Sequence, residues 1–157
     1  MIKIIKFSSI IFLILIINLF DTSNSNAHMK HYKNFKKIEM EIFRNNKLIG
    51  YNYYFFSKKN NEMIITNQLR FSVKLLGATI FSVESYGEEK YFKDQLISYN
   101  SKTLQNDRKK FVNLSFNNEK NNFIINGSSY NGEATTSNLI GNWWNHKILQ
   151  AESQISP

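Results

Sequence analysis

The chain has 157 residues, no cysteine and a formal net charge of +8. One domain with its own core is expected, since a chain of roughly 150 residues buries about two thirds of the surface it exposes when unfolded. The lack of cysteine excludes a disulfide scaffold, a thiolate zinc site and a lipidated amino-terminal Cys. The positive charge favours anionic partners, but the lysines are spread through the chain, so it reads as weak steering.

Lys3 and Lys6 precede an apolar run from Phe7 to Phe20, and Ser25-Asn26-Ala27 puts small residues at the −3 and −1 positions. That is the pattern of a secretory signal peptide over residues 1–27, and it implies export, to the periplasm or, alternatively, beyond it. The apolar run is shorter than the roughly 20 residues of a spanning helix, and no later segment approaches that length, so an integral membrane protein is not expected. Without Lys3, Lys6 and Asp21 the charge is 18 Lys+Arg against 11 Asp+Glu, or +7. Residues 28–35 read as a flexible polar leader, and residues 36–157 as a single β domain.

From Lys36 onward the apolar residues recur with period two. Ile38, Met40 and Ile42 alternate with Lys37, Glu39 and Glu41, and Arg44 to Lys47 supplies a turn before the aromatic run Leu48 to Phe56. A second turn at 57–61 leads to a long strand over 63–75, and Gly77 turns the chain into a strand running from Thr79 toward Tyr91. Further strands fall at 96–103, 110–116 and 122–126, making about seven in a meander. Abundant Asn, Lys and Ile match the product of an AT-rich coding sequence, so single Asn and Lys residues carry little functional weight.

Both parities of the 48–56 run are apolar or aromatic, with Ile49, Tyr51, Tyr53 and Phe55 on one side and Leu48, Tyr54 and Phe56 on the other. Both faces are therefore expected to be covered. The segment Ser137 to Leu149 carries Leu139, Ile140, Trp143, Trp144, Ile148 and Leu149 and is the expected cover. The fold class is all-β: a curved antiparallel sheet or half-open barrel with a short carboxyl-terminal helix or loop cover.

Four stretches stand in order: Leu48-Ile49-Gly50, Phe71-Ser72-Val73-Lys74-Leu75-Leu76, Glu89-Lys90-Tyr91 and Trp144-Asn145-His146-Lys147-Ile148-Leu149. Together they resemble an uncharacterised family of exported bacterial proteins, a domain of unknown function, with a Val-Lys-Leu-Leu strand and a late Trp-Asn-x-x-Leu-Leu motif. The chain departs from that pattern at Gly77 and Ala78, where the family has an aromatic pair, and at Ser85, where it has a histidine. The family pattern continues past the late motif into another strand, and this sequence runs to Pro157. The resemblance implies no activity. In outline such a sheet is similar to bacterial envelope folds that shelter acyl chains under a lid.

Trp143 and Trp144 at an opening, Asn145 as a polar anchor, and Tyr51, Tyr53 and Phe55 as a cavity wall form the candidate site for an apolar or lipid-like ligand. Adjacent tryptophans cannot both face one core from a regular helix, so at least one is expected at a rim. Catalysis has a thin basis: His146 with Glu89 is the one pairing of note, and there is no nucleophile elbow or His-Glu-x-x-His motif. Glu84, Glu88 and Glu89 read as a solvated strand edge. Cleavage after Ala27 would free the amino group of His28, which with His31 could chelate copper; otherwise no cofactor or metal is expected. Export argues against nucleic acid as a partner. The expected function is a non-catalytic envelope protein binding an apolar or lipid-like ligand, the alternatives being a protein partner bound at a sheet edge or surface patch, or a hydrolase or copper-binding protein.

Overall fold

A computed structural model describes Tyr32 and residues 34–145, 148–149 and 153–156. The signal-peptide reading over 1–27 lies outside these residues, as do His28, His31 and His146. Eight strands follow one another in sequence: β1 (Lys37–Arg44), β2 (Lys47–Lys59), β3 (Glu62–Leu75), β4 (Ala78–Phe92), β5 (Gln95–Gln105), β6 (Arg108–Asn117), β7 (Asn122–Gly127) and β8 (Asn131–Thr135). Each pairs antiparallel with the next in a single sheet of order β1 to β8 that does not close into a barrel. A parallel pair, β9 (Leu139–Ile140) with β10 (Gln154–Ile155), forms a small second sheet. Among the described residues the carboxyl-terminal cover is therefore a loop with two short strands, and it contains no α-helix. Nor is any helix there long and apolar enough to cross a membrane.

The meander is built by its turns. Arg44 pairs with Lys47, Lys59 with Glu62, Leu75 with Ala78, Phe92 with Gln95 and Gln105 with Arg108, leaving two-residue loops each time. Both loop residues have positive φ in every case, from Asn45 (50°) and Asn46 (61°) to Asn106 (45°) and Asp107 (66°). Positive φ at both positions defines the type I′ turn, whose twist matches that of the flanking strands, and Asn and Asp tolerate it better than other side chains. The abundance of Asn thus has a local structural use at five of these turn positions, whatever its genomic origin.

Strand alternation separates two faces. Asn52, Tyr54 and Phe56 of β2, Ile65 of β3, Glu89 and Tyr91 of β4, Tyr99 of β5 and Leu114 of β6 are buried and face the cover. The inner face holds two adjoining clusters: Tyr54, Phe56, Ile65 and Tyr91 around Trp144, and Tyr99, Val112, Leu114, Phe123 and Ile125 around Ile140. Tyr51, Phe55, Tyr86, Leu104 and Phe111 stand on the other face and are exposed. The expectation that both faces of β2 are covered is corrected here: no described element packs on the outer face. The aromatic side chains there stack on each other instead, with Tyr51 and Tyr53 centroids 5.9 Å apart and Lys37 Nζ 4.4 Å above the Tyr53 ring.

Gly50 marks where β2 leaves β3. The pairing of β1 with β2 skips Ile49, and a Cβ on Gly50 would overlap the Arg70 carbonyl oxygen and the Phe71 Cβ. Only a residue without a side chain permits so close a backbone approach. Below Gly50 the β1–β2 hairpin and the long β3–β4 hairpin continue without pairing to each other.

Candidate functional site

The cover is tied to the sheet through one carboxylate. Glu89, at the middle of β4, is 2% exposed and accepts hydrogen bonds from Tyr91 Oη (2.6 Å), Trp144 Nε1 (3.0 Å) and Asn142 Nδ2. Tyr54 Oη receives the backbone N–H of Trp143 (3.0 Å) and Nδ2 of Asn52 (3.0 Å), and Asn67 Nδ2 donates to Asn52 Oδ1 (2.5 Å). The indole of Trp144 meets Tyr32, Phe56 and Tyr91 edge-on, with centroids 5.1, 5.7 and 6.0 Å away. Tyr32, within the segment read as a flexible leader, stacks on Phe56 and donates to the Trp144 carbonyl (2.7 Å), so contacts to the core begin before Lys36.

Burial raises the Glu89 carboxyl from 4.5 to about 7, against the lowering effect of its three donors. Among the described residues no cation lies within 4 Å of it; the other paired carboxylates sit on the surface, Glu84 with Arg70 and Glu88 with Lys90. This corrects the reading of Glu84, Glu88 and Glu89 as one solvated edge. β4 is a central strand, and period two sends Glu84 and Glu88 outward while Glu89 goes in. Burial likewise raises the phenols of Tyr54 and Tyr91 and pushes Tyr99 up to about 12, so all three stay neutral at ordinary pH. Asn142 Oδ1 is buried with no hydrogen-bond partner.

The tryptophan pair divides: Trp144 is a core residue, and Trp143 is 76% exposed. Only Trp143 stands where a ligand from solvent could touch it. Asn145 lines a cavity of about 340 Å³ between β4, β7 and the cover, together with Tyr91, Leu96, Phe123, Leu139 and Ile140. Tyr51, Tyr53 and Phe55 are not brought together with Trp144, because they have the opposite parity to Tyr54 and Phe56. Tyr51 and Tyr53 instead border an outer-face depression of about 490 Å³ beside Arg70 and Glu84.

A larger opening than either of these is also on the outer face. A groove of about 780 Å³ crosses β3 to β6, with Tyr86, Leu104 and Phe111 exposed along it, Lys102 between Tyr86 and Phe111, and Arg70, Glu84 and Lys109 also lining it. Sequence reasoning missed this groove. Its signal is cross-strand: Tyr86 pairs with Lys102 and Lys102 with Phe111, a row that can be read only once the register is known. Among the described residues no three His, Asp or Glu side chains cluster as metal ligands.

Residues 40–157 match the family described as Domain of unknown function (DUF6134), and the chain belongs to it. No curated protein and no solved structure matches the chain.

Proposed function

We propose that this member of the DUF6134 family is a non-catalytic, exported envelope protein that binds an apolar, anion-headed ligand such as a fatty acid or lysolipid in the outer-face groove. The observation that carries this reading is the groove across β3 to β6: its volume of about 780 Å³ falls within the range of small-molecule sites, and apolar rings and leucine lie beside basic side chains. Tyr86, Leu104 and Phe111 offer surface for an acyl chain, and Lys102 and Lys109 offer charge for a carboxylate or phosphate head, Arg70 being paired with Glu84. The interior of the half-barrel is a poorer host, since Trp144 and the clusters around it already fill it.

Non-catalytic action fits the burial of the strongest acid–base candidate. Glu89 is enclosed on all sides, and a general acid or base must reach its substrate directly or through one water.

The test is native mass spectrometry of protein secreted by a bacterial host, then titration with a fatty acid. A single bound amphiphile that is lost in Leu104→Ser and Phe111→Ser, both surface substitutions, supports the reading. An empty protein with no saturable uptake rejects it.

A second reading rests on the open sheet. β1 and β8 are its edges, and a partner strand could add to either. The charged side chains of Lys37, Glu39 and Glu41 along β1 make that edge the less inviting of the two.

A further inference from the structure

In an antiparallel meander alternate turns gather at the same end of the sheet. The turns at 45–46, 76–77, 106–107 and 128–130 share one end, and those at 60–61, 93–94 and 118–121 share the other. We propose that the first end docks on an anionic lipid bilayer, with the tip of the β3–β4 hairpin entering the headgroup region. This does not rest on the groove or on any bound ligand.

Three observations carry it. The β3–β4 hairpin projects: β3 last pairs with β2 at Phe71 and β4 last pairs with β5 at Val83, so residues 72–75 of β3 and 78–82 of β4 lead on to the tip, roughly 14–17 Å of extended chain. The projecting tip is apolar. Leu76 is 100% exposed, Leu75 and Ile80 are exposed beside it, and Phe43 and Leu48 are exposed on the neighbouring hairpin.

Leu76 also departs from the Asn-led turns, as Lys93 does, and of the two it alone is apolar. It has φ 51° at the first position of its turn, where the other two-residue turns carry Asn45, Asn60, Lys93 and Asn106. A leucine that is both awkward in its backbone and wholly exposed contributes nothing to folding here, and such local violations mark functional positions.

Charge selects the partner. Within two residues of the four turns at this end stand Arg44, Lys47, Lys74, Arg108 and Lys109 against Asp107 alone. By the same measure the opposite end has Lys58, Lys59, Lys93 and Lys120 against Glu62, Asp94 and Glu119, nearly balanced. An apolar tip ringed by cations fits a surface with phosphate outside and hydrocarbon within, whereas a soluble polyanion would have no use for the leucines.

The experiment is co-sedimentation of the secreted protein with phosphatidylcholine vesicles, with and without phosphatidylglycerol. The protein is expected to pellet with the anionic vesicles and to be released by salt. Leu76→Asn, a change to a residue at ease with positive φ, is expected to weaken that partition about tenfold with an unchanged circular dichroism spectrum. The double variant Lys47→Glu with Lys74→Glu is expected to abolish the preference for anionic vesicles. Wild-type protein left in the supernatant with anionic vesicles at low salt, or either variant pelleting as wild type does, would overturn the proposal.

Discussion

Glu89 is an acid placed where its charged form is least welcome, and its three donors make it a clasp between sheet and cover. Its pKa is higher folded (about 7) than in water (4.5), so the folded protein holds the proton more tightly than the unfolded chain. The stabilisation is complete below about pH 4.5 and is lost as pH rises through about 7, an effect on the order of 3 kcal/mol. In Glu89→Gln this contribution should vanish, so thermal melts of the two proteins across that range should converge at low pH and separate, with the wild type the lower, as pH rises. Parallel melting curves would count against a buried titrating carboxyl. The tryptophans differ in the same experiment: Trp144→Ala should cost about 3–5 kcal/mol by emptying the space between Tyr32, Phe56 and Tyr91, and Trp143→Ala about 0.5 kcal/mol or less.

At the scale of elements, the hairpins carry the fold, and most of them are legible in the sequence. Period-two alternation places β1 to β7 because each has one buried face, and Asn-Asn and Asn-Asp pairs announce three of the five tight turns. β8 is not legible, since Asn131-Gly132-Glu133-Ala134-Thr135 offers only Ala134 as an apolar inward residue. Lys93-Asp94 is a turn without the composition of one. The candidate site is legible only in part. Glu89 draws notice as a carboxylate, but its burial depends on parity relative to Gly87 and Tyr91, and its partners Asn142 and Trp144 arrive from more than fifty residues away. Gly50 has a testable role at this scale: Gly50→Ala should destabilise the protein by about 2–3 kcal/mol, because the backbone of Arg70 and Phe71 must move, and chemical denaturation would measure it. Gly77, at φ 86° with open space around it, should suffer instead from the backbone conformation imposed on a side chain.

Among the described residues the molecule is a sheet with one face filled and one face bare. Leaving the sheet open gives the cover access to the inner face, and that cover consumes the cavity which a half-barrel would otherwise offer. The site we propose therefore lies on the outer face, where the groove runs toward the cationic end of the sheet at Lys109 and Phe111. The two proposals are separable: losing the leucine tip should spare the groove, and substituting Leu104 or Phe111 should spare the tip. The most direct test of where this protein binds is a two-dimensional NMR titration of the isotope-labelled chain with an anionic fatty acid. Saturable shifts confined to Tyr86, Lys102, Leu104 and Phe111 are expected, with the Trp144 indole signal unmoved. Shifts centred on Trp144, Tyr54 and Phe56 would show that the ligand enters beneath the cover, and would contradict the assignment of the outer face.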